Sequence, residues 1–307
     1  MRGRPSGPAV AGDTSEMHQP KRAASRRRAA VIVPLLAAGL AAPPATAGEK
    51  PLWELGVGVA PLTAPAYRGS EEQRSFLFPV PYIVYRGDRL KVDRGGARGL
   101  LWDTERVELD VSIDGAVPVD STDDGARAGM EELDPILELG PSLKIRLADS
   151  DTGRLEFQLP VRAAIGVGDG STHQEGWKAH PRLNYNAPDL VGAWDFGFNI
   201  GPKFGTRAFH AYYYDVGPED VTPDRPAYAA DGGYSGLSML VSASRRFERY
   251  WIGSFVRYDN LAGATFEDSP LVETRHSVMA GLVVSWIFWR SEETVPVDPR
   301  AALASEQ

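Results

Sequence analysis

The stretch RVELDVSIDGAVPVDSTDDG, residues 106–125, decides the fold of this chain. In its first half, Val107, Leu109, Val111 and Ile113 alternate with Glu108, Asp110, Ser112 and Asp114. A period of two residues predicts a β-strand with one apolar face and one polar face. In a soluble protein the apolar face would form the core, whereas in an outer-membrane barrel it would meet lipid and the acids would line the interior. The fold therefore depends on which face points inward.

The N-terminal region has the pattern of an export signal. Three basic residues, Arg26 to Arg28, precede the apolar run AAVIVPLLAAGLAAPPATA, which ends in Ala45-Thr46-Ala47. A basic segment, an apolar segment and an A-x-A site are the parts of a secretory signal peptide. We therefore predict that residues 1–47 are an N-terminal extension with a cleaved signal peptide. The alternative, a membrane anchor, is disfavoured because prolines interrupt the apolar run.

Composition narrows the class of protein. The chain of 307 residues has no cysteine and a net charge of -8. An exported chain of this kind has no disulfides, and an acidic surface disfavours nucleic-acid binding. After the leader there is no run of about 18 apolar residues, so no transmembrane helix is predicted. A soluble exported protein and an outer-membrane barrel both remain open.

Strand-like alternation recurs along the whole mature chain. It occurs in residues 52–60, 76–93, 106–116, 136–148, 154–168, 177–186, 193–201, 207–215, 234–247, 250–259 and 276–289. Residues 76–93 are interpreted as a hairpin around Arg86-Gly87-Asp88, so the pattern predicts about twelve strands, with ten as an alternative. Helical periodicity is confined to one short candidate, Ala126 to Leu133.

Three features favour a membrane barrel over a soluble sandwich or a lipocalin-like barrel. The predicted strands have the length of a tilted bilayer crossing, about nine to twelve residues. Aromatic residues cluster near strand ends, as in interfacial girdles. Tight connections at 205–206 and 248–249 contrast with long polar ones at 217–233 and 260–274. We predict an all-β, antiparallel transmembrane barrel over residues 48–289, followed by an acidic periplasmic tail, 290–307.

Residues 51–121 resemble the opening of the MipA/OmpV family of outer-membrane proteins, whose first name stands for MltA-interacting protein. The motifs that carry the resemblance are Trp53 with Gly56 and Gly58, Pro65-Ala66-Tyr67-Arg68-Gly69-Ser70, Pro79-Val80-Pro81-Tyr82, Tyr85-Arg86-Gly87-Asp88, Leu133-Asp134-Pro135 and Leu139-Gly140-Pro141. A weaker likeness extends over residues 51–289. The resemblance implies a non-enzymatic outer-membrane scaffold that joins a murein lytic transglycosylase to a bifunctional murein synthase. One departure is that the tail replaces the C-terminal aromatic residue common in outer-membrane barrels.

The residues provide little support for catalysis or for a cofactor. The histidines after the leader lie on separate segments, at His173, His180, His210 and His276, without metal-ligand spacing. The adjacent pair His276-Ser277 would point to opposite faces of a strand. Arg68 is interpreted as a structural residue that reaches a neighbouring acid, with ligand contact as the alternative. We predict no enzyme activity and no bound cofactor.

Two sets of charged residues are the candidate sites. The lumen-lining candidates are Glu108, Asp110, Glu138, Lys144, Arg146, Glu156, Arg162 and Arg257. Because unpaired buried charges are costly, these residues should pair across the lumen or line water, so a pore for small solutes is the alternative function. The partner-binding candidates are Asp120, Asp123, Asp124, Glu131, Glu132 and Asp134. The alternative interpretation of this segment is a solvated loop. Strand counting predicts that this segment, 118–135, is periplasmic, and that 217–233 and 260–274 are extracellular.

Overall fold

Antiparallel strands dominate the structure, a computed structural model that describes residues 48–93, 96–116, 125–168 and 171–297. The strands are β1 (Gly48–Pro51), β2 (Trp53–Pro65), β3 (Gln73–Arg86), β4 (Leu90–Asp93), β5 (Gly96–Asp103), β6 (Val107–Ala116), β7 (Ile136–Ser150), β8 (Gly153–Gly168), β9 (Ser171–Ala179), β10 (Arg182–Val191), β11 (Trp194–Gly205), β12 (Gly233–Arg246), β13 (Tyr250–Asn260), β14 (His276–Arg290) and β15 (Thr294–Val297). Helix α1 (Arg207–Tyr214) and a 3₁₀ turn (Pro218–Asp220) lie between β11 and β12. The predicted signal peptide lies outside the described residues.

The main sheet closes on itself as a barrel. Each strand from β2 to β14 pairs with its neighbour in sequence, apart from β9 and β10, and β14 pairs with β2. Both β9 and β10 pair with β8 on one side and with β11 on the other, so they are two halves of one wall strand. The 13 strand segments of the sheet therefore make a closed barrel of 12 strands, as predicted.

The polar face of the strands points inward. In β6, Asp110 is 1% exposed while Ile113 is 44% exposed. The same inversion holds around the barrel, because exposed outer positions include Val57, Leu77, Ile83, Leu139, Leu183, Val241, Val256, Val278 and Leu282. An apolar exterior around a polar interior is the arrangement of a barrel whose solvent is lipid. The apolar face of the stretch 106–116 is therefore the lipid face.

All the long connections lie at one end of the barrel. At the end that carries β1 and β15, the turn end, the connections are 87–89, 104–106, 151–152, 192–193 and 247–249. At the opposite end, the loop end, they are 66–72, 94–95, 117–135, 169–170, 206–232 and 261–275. Outer-membrane barrels have short periplasmic turns and long extracellular loops, so the turn end faces the periplasm.

The predicted periplasmic position of 118–135 is wrong, because the connection 117–135 lies at the loop end. The error comes from β5, which the sequence pattern did not predict as a strand. A bulge between Leu100 and Trp102 breaks the alternation of β5 and leaves Leu101 and Trp102 both exposed. One missed strand reverses the predicted direction of the chain from that point as far as residues 207–215, where a second error restores it.

The predicted strand at 207–215 is also wrong, since these residues form α1. The side chain of Thr206 caps the helix by accepting a hydrogen bond from the Phe209 amide. His210 and Tyr214, four residues apart, are the buried residues of the helix. The predicted tight connection at 205–206 is therefore part of the long connection 206–232. Within the described ranges, no α-helix has the length and apolar character needed to cross a bilayer.

The helix predicted at Ala126 to Leu133 does not form. Residues 125–130 are turns and bends instead. Gly129 has a φ of 75°, in the left-handed region that an α-helix does not contain. Beyond β14, Thr294–Val297 of the predicted tail forms β15, which pairs with β1 in a separate two-stranded ribbon. Residues 298–307 of the predicted tail lie outside the described residues.

Candidate functional site

The predicted lumen residues project from neighbouring strands onto the same inner face. On β6 and β7, Glu108 pairs in register with Lys144. On β7 and β8, Lys144 opposes Gln158 and Arg146 opposes Glu156. Buried members of the set are Asp110, Glu138, Glu156 and Arg162. Charged side chains from the three strands therefore lie side by side on one wall of the lumen.

A cluster of cations surrounds Asp259 on β13 near the loop end. Asp259 is 2% exposed and lies 2.7 Å from Lys203, 3.0 Å from Arg257 and 3.4 Å from Arg68. Lys203 comes from β11, two strands away, and Arg68 comes from the connection 66–72. Arg68 also donates to the Ser235 carbonyl oxygen at 2.7 Å. The cluster thus fastens a loop-end connection to the barrel wall, as the structural interpretation of Arg68 predicted.

A second cluster lies near the turn end, around Glu54 on β2. Its carboxylate accepts from Arg246 at 2.6 Å and from Arg86 at 2.7 Å. Arg246 also donates to the Tyr82 hydroxyl at 3.0 Å. Because β12 and β2 are separated by β13 and β14, the Arg246 contact bridges four strands of the wall. Tyr82 and Trp251 pack beneath it with Val84 and Ile287 in a buried apolar cluster.

A third network connects the wall from β6 to β10. Glu138 pairs with Lys178 and lies 3.7 Å from Arg162, which donates to Ser112 at 3.0 Å. Further along the wall, the Gln158 side chain contacts Ser142, Arg182 and Asn184. Most described charges in this part of the lumen therefore have partners on adjacent or next-but-one strands.

An open cleft lies on the inner face of β4 to β8 at the turn end. It has a volume of about 490 Å³, including the solvent at its mouth. Its cationic lining residues are Lys91, Arg98, Arg106, Lys144, Arg146 and Arg154. Its acidic lining residues are Asp103, Glu105, Glu108 and Glu156. We call this space the mouth cleft.

The long connections pack together into a cap at the loop end. The cap contains the connections 66–72, 206–232 and 261–275 and the described part, 125–135, of the connection 117–135. Its buried apolar residues are Tyr67, Met130, Leu133, Tyr214, Val216, Ala230, Leu261, Ala264, Phe266 and Leu271. At its centre, the Phe266 ring stacks on Tyr214 with centroids 3.8 Å apart. Each of the four connections contributes to this core, so they form one packed unit.

Tyrosine hydroxyls tie the parts of the cap to one another. Tyr67 donates to the Leu271 carbonyl at 2.7 Å and Tyr214 donates to the Arg68 carbonyl at 2.8 Å. Tyr212 donates to the Asp134 carbonyl at 3.1 Å. Burial raises the pKa of Tyr212 to about 12 and that of Tyr67 and Tyr214 still further. All three hydroxyls therefore keep their donor protons at physiological pH.

The described part of the predicted partner-binding segment belongs to this cap. Glu131 and Glu132 are exposed, whereas Asp134 is half-buried and contacts Tyr212 through its backbone. Asp120, Asp123 and Asp124 lie outside the described residues. Arginine side chains hold the segment in place, because Arg127 donates to the Tyr213 carbonyl and Arg225 donates to the Ala126 carbonyl. Partner binding by these acids stays a prediction, for a surface at the loop end.

The structure brings together a serine and a histidine that the sequence did not pair. His210 Nε2 lies 2.6 Å from Ser235 Oγ, and His210 Nδ1 lies 2.6 Å from the Asp231 carbonyl oxygen. Burial lowers the pKa of His210, so the neutral ring donates to the carbonyl and accepts from the serine. His210 and Ser235 are 0% and 2% exposed, which keeps substrate away from the hydroxyl. The pair therefore fastens α1 to β12.

The predicted pair His276-Ser277 is separated by the strand, as expected. His276 is exposed and contacts the Tyr258 hydroxyl at 2.7 Å. Ser277 is buried and accepts from the Gly69 amide at 3.1 Å. Within the described ranges, no group of three or more His, Cys, Asp or Glu residues is placed to hold a metal ion.

Several charged residues of the lumen were missed by sequence reasoning. They are Arg98, Arg154, Lys178, Lys203 and Arg246. Arg154 could have been predicted from its position on β8. It is an even number of residues from Glu156 and Arg162, so its side chain lies on the same face of the strand. Arg98 and Lys203 lie beside register shifts in β5 and β11, where simple alternation gives no reliable face.

Comparisons with known proteins agree with this geometry. A family model described as MltA-interacting protein MipA matches residues 57–288. The outer membrane protein Omp26La of Vibrio anguillarum is 25% identical over 151 residues, which are 45% of this chain and 56% of that protein. The chain thus spans little more than half the length of this relative.

Two solved structures are similar at low identity. The COG4313 outer membrane channel from Pseudomonas putida F1 is 14% identical with a TM-score of 0.36, over 81% of this chain and 100% of that chain. A Pseudomonas aeruginosa FadL homologue is 9% identical with a TM-score of 0.31, over 76% of this chain and 89% of that chain. The family match itself covers β3 to β13 completely and most of β2 and β14. The chain is an outer-membrane β-barrel, and it belongs to the MltA-interacting protein MipA family.

Proposed function

We propose that this barrel is a non-enzymatic scaffold at the outer membrane, which holds a murein lytic transglycosylase and a bifunctional murein synthase at the cell wall. The observation that carries the proposal is the cap. Four connections share one buried core at the loop end, and the Asp259 cluster fastens it to the wall. A barrel with such a cap is built to persist as a rigid platform rather than to pass solutes freely. The description of the family as MltA-interacting supports the choice of partners.

The docking face in this proposal is the turn end. It carries five short turns and the ribbon of β1 and β15, which extends the wall on the side of the termini. In a two-stranded ribbon each strand has one edge without a neighbouring strand, and a free edge accepts a strand from a partner. The proposal does not use the acidic segment 118–135 for this role, because its connection lies at the opposite end.

If the barrel is a scaffold, it should bind both enzymes and should not conduct ions across planar bilayers. The full chain in nanodiscs should retain the transglycosylase and the synthase at the same time, and should show no stable single-channel conductance. Deleting residues 294–307, which removes β15, should weaken retention of at least one enzyme by about tenfold, because the ribbon edge is lost.

The matched control for this deletion is the pair Glu131→Gln and Glu132→Gln, at the loop end. Retention of both enzymes should be unchanged in that variant. Retention that survives the deletion would contradict the docking face, and reproducible conductance without retention would contradict the scaffold itself.

A pore for small solutes is the second candidate function. The mouth cleft favours it, because charged side chains there face an open volume at the turn end. Rings of lumen charges set ion selectivity in pores. The same bilayer recordings separate the two functions, since a pore would conduct with a selectivity that responds to lumen charges such as Arg146.

A further inference from the structure

The mouth cleft contains two buried polar atoms of opposite charge, Arg146 Nε and Glu156 Oε2, that have no hydrogen-bond partner among the described residues. Of its six lining cations, Arg98 lies 2.7 Å from Asp93, Lys144 lies 2.7 Å from Glu108 and Arg154 lies 2.8 Å from Asp149. Lys91 lies 3.8 Å from Asp103, and Arg106 is exposed on the turn 104–106. The remaining cation is Arg146. Among the acids, Asp103 and Glu108 are paired with Lys91 and Lys144, and Glu105 is exposed on the turn 104–106, so Glu156 is the buried acid that remains.

Arg146 and Glu156 stand directly opposite each other on β7 and β8. Their Cβ atoms in such a pair are about 5 Å apart. Even so, no ion pair within 4.0 Å joins them, and Arg146 Nε and Glu156 Oε2 are buried without a hydrogen-bond partner among the described residues. Glu156 is 7% exposed and lines the cleft. A buried charged group that lacks a hydrogen bond is costly, so a ligand group that completes the hydrogen bond binds favourably.

The arrangement of charges selects the chemistry of the occupant. A lone anion would satisfy Arg146 but would be repelled by Glu156, and a lone cation would meet the reverse situation. A group with an ammonium beside a carboxylate satisfies both residues, because the carboxylate binds the guanidinium and the ammonium binds Glu156. The lining has six cations and four acids, and Asp93 and Asp149 balance Arg98 and Arg154 from outside the lining, so the cleft has no excess charge of either sign.

We propose that the mouth cleft binds a small solute through an α-amino-acid group, with the carboxylate on Arg146 and the ammonium on Glu156. The cleft opens at the turn end, so this solute reaches it from the periplasm. The proposal is independent of the scaffold function, since it depends only on the inner face of β4 to β8. It gives a ligand-binding role to Arg146 and Glu156, which are not part of the three lumen networks described above.

The test is calorimetric titration of the full chain in nanodiscs at low salt with L-glutamate and with glutarate, which lacks the amine. L-Glutamate should bind saturably and at least about tenfold more tightly than glutarate, because only glutamate makes the charge-assisted bond to Glu156. Glu156→Gln should weaken glutamate by about tenfold and leave glutarate unchanged or tighter. Arg146→Gln should weaken both ligands by about tenfold or more.

The controls are Glu248→Gln and Arg249→Gln, the same changes on an exposed turn at the same end of the barrel. Both should bind glutamate like the unmodified chain. Heat-dependent migration on gels checks that each variant is folded, and Arg146→Lys, which keeps the charge, replaces Arg146→Gln if that variant does not fold. Absence of saturable binding, equal affinity for glutamate and glutarate, or equal losses in the Glu248 and Arg249 controls would each overturn the proposal.

Discussion

Asp259→Asn is expected to lower the free energy of unfolding of the barrel by about 3 kcal/mol. The substitution keeps the shape of the side chain and removes the charge that three cations share. Lys203, Arg257 and Arg68 would then lie close together without the carboxylate that they share. Removing one partner of a buried ion pair costs about 3–5 kcal/mol, and the lower value applies here because the cations are partly exposed.

This loss is measured by urea titration, in which the fraction of folded barrel is read from the gel band that shifts on heating. Asp268→Asn is the matched control, since it makes the same change at an exposed acid of the cap. Its unfolding free energy should stay within about 0.5 kcal/mol of the unmodified chain. An Asp259→Asn barrel as stable as the control would show that water, rather than the carboxylate, balances the three cations.

Phe266→Ala is expected to open the cap and leave the barrel intact. The Phe266 ring is fully buried, stacks on Tyr214 and packs edge-on against His210 with centroids 4.7 Å apart. Truncating such a ring costs about 3–5 kcal/mol. The loss falls on the cap because the barrel hydrogen bonds run between neighbouring strands and do not pass through it.

Limited proteolysis of intact vesicles shows the difference. The Phe266→Ala chain should be cleaved within 206–232 and 261–275, while its barrel still shifts on heating. Val221→Ala is the control, because Val221 lies in another connection of the cap, 206–232, and is 46% exposed. If the Phe266→Ala chain resists the protease as well as the control does, the four connections do not share one packed core. If its barrel no longer shifts on heating, the cap and the barrel unfold together.

The two-residue period was sufficient to predict the architecture. A strand in lipid needs one apolar and one polar face along its whole length, so the pattern is long and repeated. The residues Glu108, Asp110 and Glu156 project inward by the same rule. The pattern could not predict which charged residues form ion pairs, because partners such as Arg246 and Glu54 are 192 residues apart in the chain.

The predicted strand count was correct because two errors cancelled. Strand β5 was missed and the helix α1 was predicted as a strand, so the total remained twelve. Between these two errors the chain direction was inverted, which placed 118–135 at the wrong end and left 217–233 and 260–274 at the right one. A bulge hid β5, and tertiary burial of His210 and Tyr214 favours a helix where the tyrosine-rich sequence suggests a strand.

The central claim is that the strands carry their apolar face to lipid and their acids to the lumen. The chain has no cysteine, so single nitroxide labels can be placed at Ser112→Cys and Ile113→Cys, and at Ser242→Cys and Val241→Cys on the opposite wall. Dissolved oxygen should speed the spin relaxation of labels at 113 and 241, as it does at lipid-exposed sites, and should not do so at 112 and 242. Oxygen accessibility at 112 and 242 instead of 113 and 241 would contradict the inverted barrel.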